Sequence, residues 1–447
     1  MNILWLHQYF ATPSGWGAVR TYAFARRFVR AGHAVDVVCG SGYDASLRPT
    51  GREPVVVDGM RVFVSGTSYR PHMGFARRVV SFLCFMGGAL WFVVRHGRRY
   101  DVVIASSGPL TLAVPALVGR WLWRVPFVFE VIDVWPDSAI AAGVLRNAVL
   151  KWLSFRLEAL AYRYASAIVT CSTGMTGRVE GKLGVGDARV DPMGQCVDTP
   201  NHFPRRHSKA TTISNCCDVE MFPQDPQTRA KTRAAQRVGD DQTVVLYTGA
   251  MGRSNAVEDL VAAVNETADD GRIVWWFAGG GPEEGRLRAA VEGRGSEAEI
   301  GCETVRDGAP RVRFFGSLPK AKLIGLYLAA DLNVVTFMHE PLFYENSPNK
   351  FFDGIAAGLP TVFNRTTWLE PWLKEYACGV VCKGERLGRE MAEAIMRLAG
   401  DPGLRGKMGR GARRLAEEVF SRDTLAEEYL GVLGDVLKSE NSHVRKP

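Results

Sequence analysis

Several function classes are missing from this sequence before any motif is read. Its nine cysteines, at 39, 84, 171, 196, 216, 217, 302, 378 and 382, form no CxxC pair, and no histidine set at ligand spacing accompanies them. That pattern argues for a reducing compartment and against a zinc site. There is no low-complexity tract, which removes disorder from consideration. The first residues, MNILWLHQYF, show neither a basic leader nor a small-residue cleavage site, so they are read as a first strand and the chain is expected in the cytoplasm. No nucleic-acid-binding module and no basic groove interleaved with aromatics is present. The longest uncharged apolar run considered, Val79 to Val94, is 16 residues, short of the ~20 needed to span a bilayer.

What is there is an ordinary globular composition over 447 residues, with 47% hydrophobic and 23% charged residues, enough for two domains with cores of their own. The net charge of +8 is uneven: residues 1 to 215 hold 25 basic and 13 acidic side chains, the remainder 30 and 34. A basic front half fits an anionic partner such as a membrane surface or a phosphorylated acceptor.

Short apolar runs alternate with helical patterns along the front half (ILWLHQYF, AVDVVCG, DVVIASS, FVFEVIDV, SAIVTCS) and again along the back half (TVVLYTGA, IVWWFAGGG, VRFFGSL, LNVVTF, LPTVFN, GVVCK). This rhythm predicts two α/β domains with parallel sheets, each Rossmann-like, facing each other across a cleft. The spacing predicts a first domain over 1–214, with 181–212 as an inserted loop, and a second over 215–419. A C-terminal helix and tail follow over 420–447, the helix either capping the second domain or crossing back to the first.

Gly15 and Gly17 lie in a loop between the first strand and its helix, where glycines let backbone approach a ligand and free helix N–H groups favour negative charge. A plain tight turn is the competing reading, since the spacing is not GxGxxG. Gly249 and Gly252 repeat the arrangement at the start of the second domain. Arg253 follows, placed either to meet a diphosphate with its guanidinium fork or to sit on the surface. In Glu345-Asn346-Ser347-Pro348-Asn349-Lys350-Phe351-Phe352-Asp353, Ser347 is expected to cap a helix starting at Pro348 and ending at Gly358-Leu359-Pro360. Glu345 and Asp353 then flank a helix N-terminus where acids accept from sugar hydroxyls while N–H groups and Lys350 meet phosphate. In FEVIDVWPDS, Glu130, Asp133 and Asp137 stand at a strand end. Asp133 is the candidate to orient or deprotonate an acceptor hydroxyl, with helix capping as its alternative; Asp137 reads as a cap.

The acid, seven residues and second acid before AAGLP resemble the E-x7-E motif of the retaining GT-B glycosyltransferases of family 4. SPNKFFDGIAAGLP with HQYF and FEVIDVWPD is similar to bacterial enzymes that build surface polysaccharides, including those proposed to transfer N-acetyl-fucosamine. The resemblance implies that Glu345 contacts donor-sugar hydroxyls and Asp353 the nucleotide ribose. It implies that Asn346 and Ser347 offer backbone N–H groups, that Arg253 with Lys350 holds the diphosphate, and that the Gly15–Gly17 loop approaches it from the first domain. Many relatives have a histidine near this strand end as an acceptor-side group, and in its absence Asp133, with Glu130, is the catalytic candidate. Two departures stand out: the second acid is Asp rather than Glu, and no histidine occurs near Asp133. No metal or cofactor is expected, the nucleotide sugar being a substrate. The partners implied are a UDP-linked donor and a polyprenyl-diphosphate-linked acceptor, with membrane contact through 77–99 set against a buried helix there. A UDP-sugar 2-epimerase of the same fold and a non-catalytic assembly scaffold are the rival functions.

Overall fold

The computed structural model describes residues 1–15, 19–48, 53–68, 73, 75–141, 143–184, 209–292 and 311–444. Two units emerge, one formed by Met1–Ser214 with Arg422–Pro447 and the other by Asn215–Ser421.

The first unit is built on eight strands: β1 (Asn2–Leu6), β2 (Ala34–Ser41), β3 (Val55–Val57), β4 (Met60–Ser68), β5 (Val102–Ser106), β6 (Phe127–Val131), β7 (Ala167–Thr170) and β8 (Ala210–Thr212). Their order is β3-β4-β2-β1-β5-β6-β7-β8, and every pair is parallel except the β3–β4 hairpin at the edge. Its helices are α1 (Arg20–Arg30), α2 (Phe75–His96), α3 (Ala113–Trp123), α4 (Asp137–Ala141), α5 (Ala148–Tyr164) and α6 (Thr173–Leu183).

The second unit has β9 (Thr243–Thr248), β10 (Ile273–Ala278), β11 (Val312–Phe314), β12 (Leu332–Val335), β13 (Thr361–Phe363) and β14 (Gly379–Val381) in the all-parallel order β11-β10-β9-β12-β13-β14. Around it lie α7 (Pro226–Ala235), α8 (Val257–Glu266), α9 (Glu284–Glu292), α10 (Lys320–Ala329), α11 (Asn349–Ala356), α12 (Glu370–Glu375), α13 (Leu387–Gly400) and α14 (Pro402–Glu418). The inner strands β9, β10, β12 and β13 are buried at every position because both faces are covered. Val244, Leu246, Val274 and Trp276 belong to one core, whereas Val245, Tyr247, Trp275 and Phe277 belong to the other. The strand order reverses between β9 and β12, and in an open parallel sheet the crevice at the carboxyl ends of those two strands is where ligands bind.

Helix α15 (Arg422–Val444) belongs to the first unit. Tyr429 anchors it, fully buried with its ring 5.8 Å from Trp5 and 5.6 Å from both Phe24 and Phe28. Arg27 adds an ion pair to Asp423. Within the second unit, the entering and leaving segments are joined by a parallel bridge between Cys217 and Ser421.

One expectation is corrected here, and one is left open. The stretch 181–212 is not loop throughout: its first residues complete α6 to Leu183, and its last form β8, which pairs with β7 through Ile168 and Ala210. Residues 185–208 lie outside the described residues. The run from Val79 to Val94 is neither simply buried nor simply exposed. Phe85, Ala89 and Val93 on one side of α2 enter the first unit's core, whereas Val80, Leu83, Trp91 and Val94 on the other face outward.

Candidate functional site

The carboxyl ends of β9 and β10 interlock through glycine. Gly249 has φ +105°, and its N–H donates to Ala278 O at 2.8 Å. A Cβ on Gly279 would stand 1.8 Å from Gly249 O, and one on Gly281 would stand 2.4 Å from Met251 O. Both positions exclude any side chain, so the FAGGG run is a backbone junction of this turn. At Gly252 an added Cβ meets nothing within 4 Å, so the turn leaves open space there. Arg253 starts a short 3-10 helix; it is exposed and takes no hydrogen bond or ion pair among the described residues.

Helix α11 aims at the same turn. Asn333 Nδ2 donates to Lys350 O at 3.1 Å, and a Cβ on Gly354 would come within 2.4 Å of that amide nitrogen. Glycine at 354 thus lets the helix lie against β12. The Lys350 ammonium reaches over the Tyr247 ring, 3.9 Å from its centre, and a Cβ on Gly249 would be 3.7 Å from Nζ. Nζ is sealed from solvent without a hydrogen-bond partner, and burial lowers its pKa to about 7. A sealed ammonium without a hydrogen-bond partner is unfavourable, and desolvation therefore shifts it towards the neutral amine.

The rest of the motif differs from its sequence reading in three respects. The helix starts at Asn349, not Pro348, and no side chain caps it. Ser347 Oγ instead accepts from Asn215 N at 3.2 Å while Ser347 O accepts from Asn215 Nδ2 at 2.6 Å, so this serine fastens the start of the second unit. The Asn346 N–H is already donated to Phe343 O at 3.2 Å and the Asn346 carbonyl accepts from Trp368 Nε1 at 2.9 Å, so that N–H is not on offer to a ligand. Asp353 is buried in an ion pair with Lys320, a residue that the motif does not include. Glu345 is buried at the end of a 3-10 helix over Pro341–Glu345.

A further cation with buried, unpartnered nitrogens is Arg365, which sequence reasoning missed. It follows β13, donates to Tyr344 Oη and stacks on that ring at 4.3 Å, yet its Nε and Nη1 are buried with no partner. No local pattern announces it, since its partner is 21 positions away.

In the first unit, Gly15 is required by close packing, because a Cβ there would approach Tyr43 O to 2.8 Å. Gly17 lies outside the described residues. Glu130 is not a free acid. It is 0% exposed, its Oε1 accepts from Arg20 Nε at 3.0 Å and its Oε2 from Ser106 Oγ at 2.6 Å. Arg20 also donates to Ser214 O and Ile213 O, at 2.5 and 2.7 Å. Glu130 is therefore a structural clamp on α1 and on the chain end of the unit, and its catalytic reading is withdrawn on that geometry. The Asp133 carbonyl accepts from Trp135 N at 2.9 Å and from Ser107 Oγ at 3.2 Å, whereas its carboxylate, which reaches solvent at its tip, takes no hydrogen bond or ion pair among the described residues, and desolvation by the surrounding protein holds it above the ordinary range. Asp137 opens α4 and pairs with Lys182 at 2.5 Å. At the end of β1, His7 is buried on Thr21 Oγ1 at 2.6 Å, and desolvation lowers its pKa to about 4, so it is neutral at pH 7. Among the described residues no group of three or more His, Cys, Asp or Glu is disposed to hold a metal.

Comparison with known proteins supports the fold. Residues 17–194 match the glycosyl transferase 4-like domain, and residues 242–401 match glycosyl transferases group 1. The probable glycosyltransferase WbjE of Pseudomonas aeruginosa is 26% identical over 59% of this chain and 57% of its own. The lipopolysaccharide core biosynthesis glycosyltransferase LpsD of Rhizobium meliloti is 31% identical over 48% of this chain and 56% of its own. The matched stretches thus span little more than half the length of these relatives. The crystal structure of Anabaena Alr3699/HepE in complex with UDP superposes with a TM-score of 0.66 at 15% identity, covering 97% of this chain and 100% of that one. The chain thus resembles a glycosyl transferase 4-like domain over 17–194 and glycosyl transferases group 1 over 242–401, each less than half of its length, and it has the GT-B fold.

Proposed function

We propose that the protein is a retaining glycosyltransferase that moves a sugar from a UDP-linked donor, an N-acetylated amino sugar being the candidate, to a hydroxyl of a carbohydrate carried on polyprenyl diphosphate. The setting is bacterial surface polysaccharide synthesis, in the cytoplasm and peripherally on the inner face of the membrane. The observation that carries the reading is the sealed, unpartnered Lys350 ammonium beside the Gly249 turn. The UDP bound in the HepE structure and the lipopolysaccharide role in the LpsD name support the choice of donor and setting.

In the reaction, the acceptor oxygen forms a bond to the anomeric carbon, the bond from that carbon to the diphosphate oxygen breaks, and UDP leaves with the electron pair. Lys350 and Arg253 meet the charge that develops on the leaving diphosphate, at a place where water is excluded around Nζ. Glu345 and Arg365 border the sugar, the first as acceptor and the second as donor of hydrogen bonds, and Asp353 takes the ribose while held by Lys320. Asp133 receives the proton of the acceptor hydroxyl, and its raised affinity for protons suits a base. Retention of configuration is part of the proposal and follows the resemblance.

Incubation with UDP-sugars, with and without a polyprenyl-diphosphate-linked saccharide, tests it. Acceptor-dependent release of UDP and a glycosylated lipid are expected. Free epimer formed without acceptor overturns the reading in favour of a 2-epimerase, and no binding of any nucleotide sugar overturns it in favour of a scaffold.

A further inference from the structure

Among the described residues, every exposed large hydrophobic side chain but Val56 lies on α2, α3 or the stretch from Val144 to Tyr164 that holds α5. Helix α3 packs against both α2 and α5, so the three helices make one layer on the first unit. Three of its four tryptophans stand out of the protein, Trp91 at 61%, Trp121 at 56% and Trp152 at 61% exposure, with Trp123 half-buried. Helix α5 is the anomaly. Val149, Leu150, Trp152, Leu153, Phe155 and Leu160 face solvent around most of its girth, while only Glu158, Ala161 and Tyr162 are buried. A helix apolar on nearly all sides is normally enclosed by protein or lipid.

The charges decide what covers it. The only carboxylate on the three helices is Glu158, buried and paired with Lys182 at 2.7 Å. Basic side chains stand among the aromatics: Arg156 lies over Trp152 at 5.9 Å, Arg163 over Tyr164 at 5.7 Å, and Trp121 meets Tyr164 edge-on at 5.6 Å. Alternating Trp or Tyr with Arg, without acids, is the composition of an interfacial helix resting on anionic headgroups. A second copy of the chain would bring two positive faces together, which argues against self-association. Between the start of α2 and the 143–150 segment a cavity of about 560 Å³ opens, walled by Met73, Val144, Leu145 and Leu150 with Arg78 and Arg146 at its sides. Apolar walls beside two guanidinium groups suit a lipid phosphate and the chain attached to it.

We infer that α5, together with α3 and the outer side of α2, is a docking surface for a bilayer of anionic phospholipid, which extends the 77–99 segment to a helix that its sequence did not single out. The inference stands on this face and not on the donor site.

The test is co-sedimentation of the whole chain with vesicles of phosphatidylglycerol and phosphatidylcholine, or of phosphatidylcholine alone, for the wild type, a Trp152→Asp/Phe155→Asp variant and a Val56→Asp control. Binding to the anionic vesicles is expected to be at least tenfold tighter than to the neutral ones. It should weaken at least tenfold in the double variant and not in the control, with UDP binding unchanged throughout. Quenching of tryptophan fluorescence by brominated phosphatidylglycerol, smaller in Trp152→Phe than in wild type, reads the same contact without a disruptive change. Wild-type protein that ignores anionic vesicles, or a double variant that binds as wild type does, overturns the inference. So does a concentration-dependent dimer by sedimentation velocity that the double variant abolishes. Loss of UDP binding alone counts against the donor site and leaves this surface standing.

Discussion

The Lys350 ammonium lies 3.9 Å from the centre of the Tyr247 ring with no hydrogen bond to Nζ. A cation over an aromatic face recovers part of its lost hydration, and an isolated buried ammonium needs more than that. The free protein thus leaves this cation without a full partner, and on the proposed function the donor diphosphate would be that partner.

Replacement of Lys350 by Met should separate binding from stability. Loss of a charge-assisted hydrogen bond to phosphate costs about 1.5–3 kcal/mol, or roughly 10- to 100-fold in UDP affinity. Removal of a buried, unpartnered charge should leave the melting temperature equal or higher. Calorimetry and thermal melts read the two effects; a variant that binds UDP as wild type does removes Lys350 from the site.

The pKa of about 7 gives this site a pH signature. A diphosphate favours the ammonium form, so binding above pH 7 must take up a proton, and affinity should fall by up to about tenfold per pH unit there. Folding shows the opposite trend. Between about 7 and the ordinary 10.5 the unfolded chain holds a proton that the folded chain has lost, so this group's contribution makes stability rise with pH across that window. Titrations of UDP in buffers of different ionisation enthalpy at pH 8 check the first, and melts of wild type against Lys350→Met the second.

Glu130 and Asp133 are three positions apart and should behave as opposites. Glu130→Ala breaks a fully buried pair with Arg20 and should cost about 3–5 kcal/mol of stability in the first unit. Asp133→Asn should leave the melt unchanged and reduce turnover about 10²- to 10⁴-fold, with little change in KM for the donor. A melt shifted by Asp133→Asn, with turnover intact, reverses the assignment.

Asp353→Asn leaves the Lys320 ammonium without its carboxylate. Weaker UDP binding is expected together with a lower melting temperature, and Lys320→Met should reproduce part of the binding loss because it frees Asp353 to move. Unchanged nucleotide affinity in both variants takes this pair out of the site.

Much of this was legible in the sequence because it is local. The alternation of strand and helix runs reflects sheets covered on both faces, and the glycine turns and the acid-flanked helix are short-range patterns. The pairings were not legible, since Arg20 and Glu130 are 110 residues apart and Asp353 meets Lys320 from a preceding helix. Ser347 shows the limit from the other side: its position suits a helix cap, and tertiary contact with Asn215 claimed its hydroxyl instead. The apolar face of α5 was equally hidden. A pattern of apolar residues says that a surface needs covering and not whether the protein covers it.

Calorimetric titration of UDP into the chain tests the central claim most directly. The account predicts saturable one-to-one binding that weakens roughly 10- to 100-fold in Lys350→Met and takes up protons at pH 8. Absence of binding by UDP, by other nucleoside diphosphates and by their sugars would contradict it.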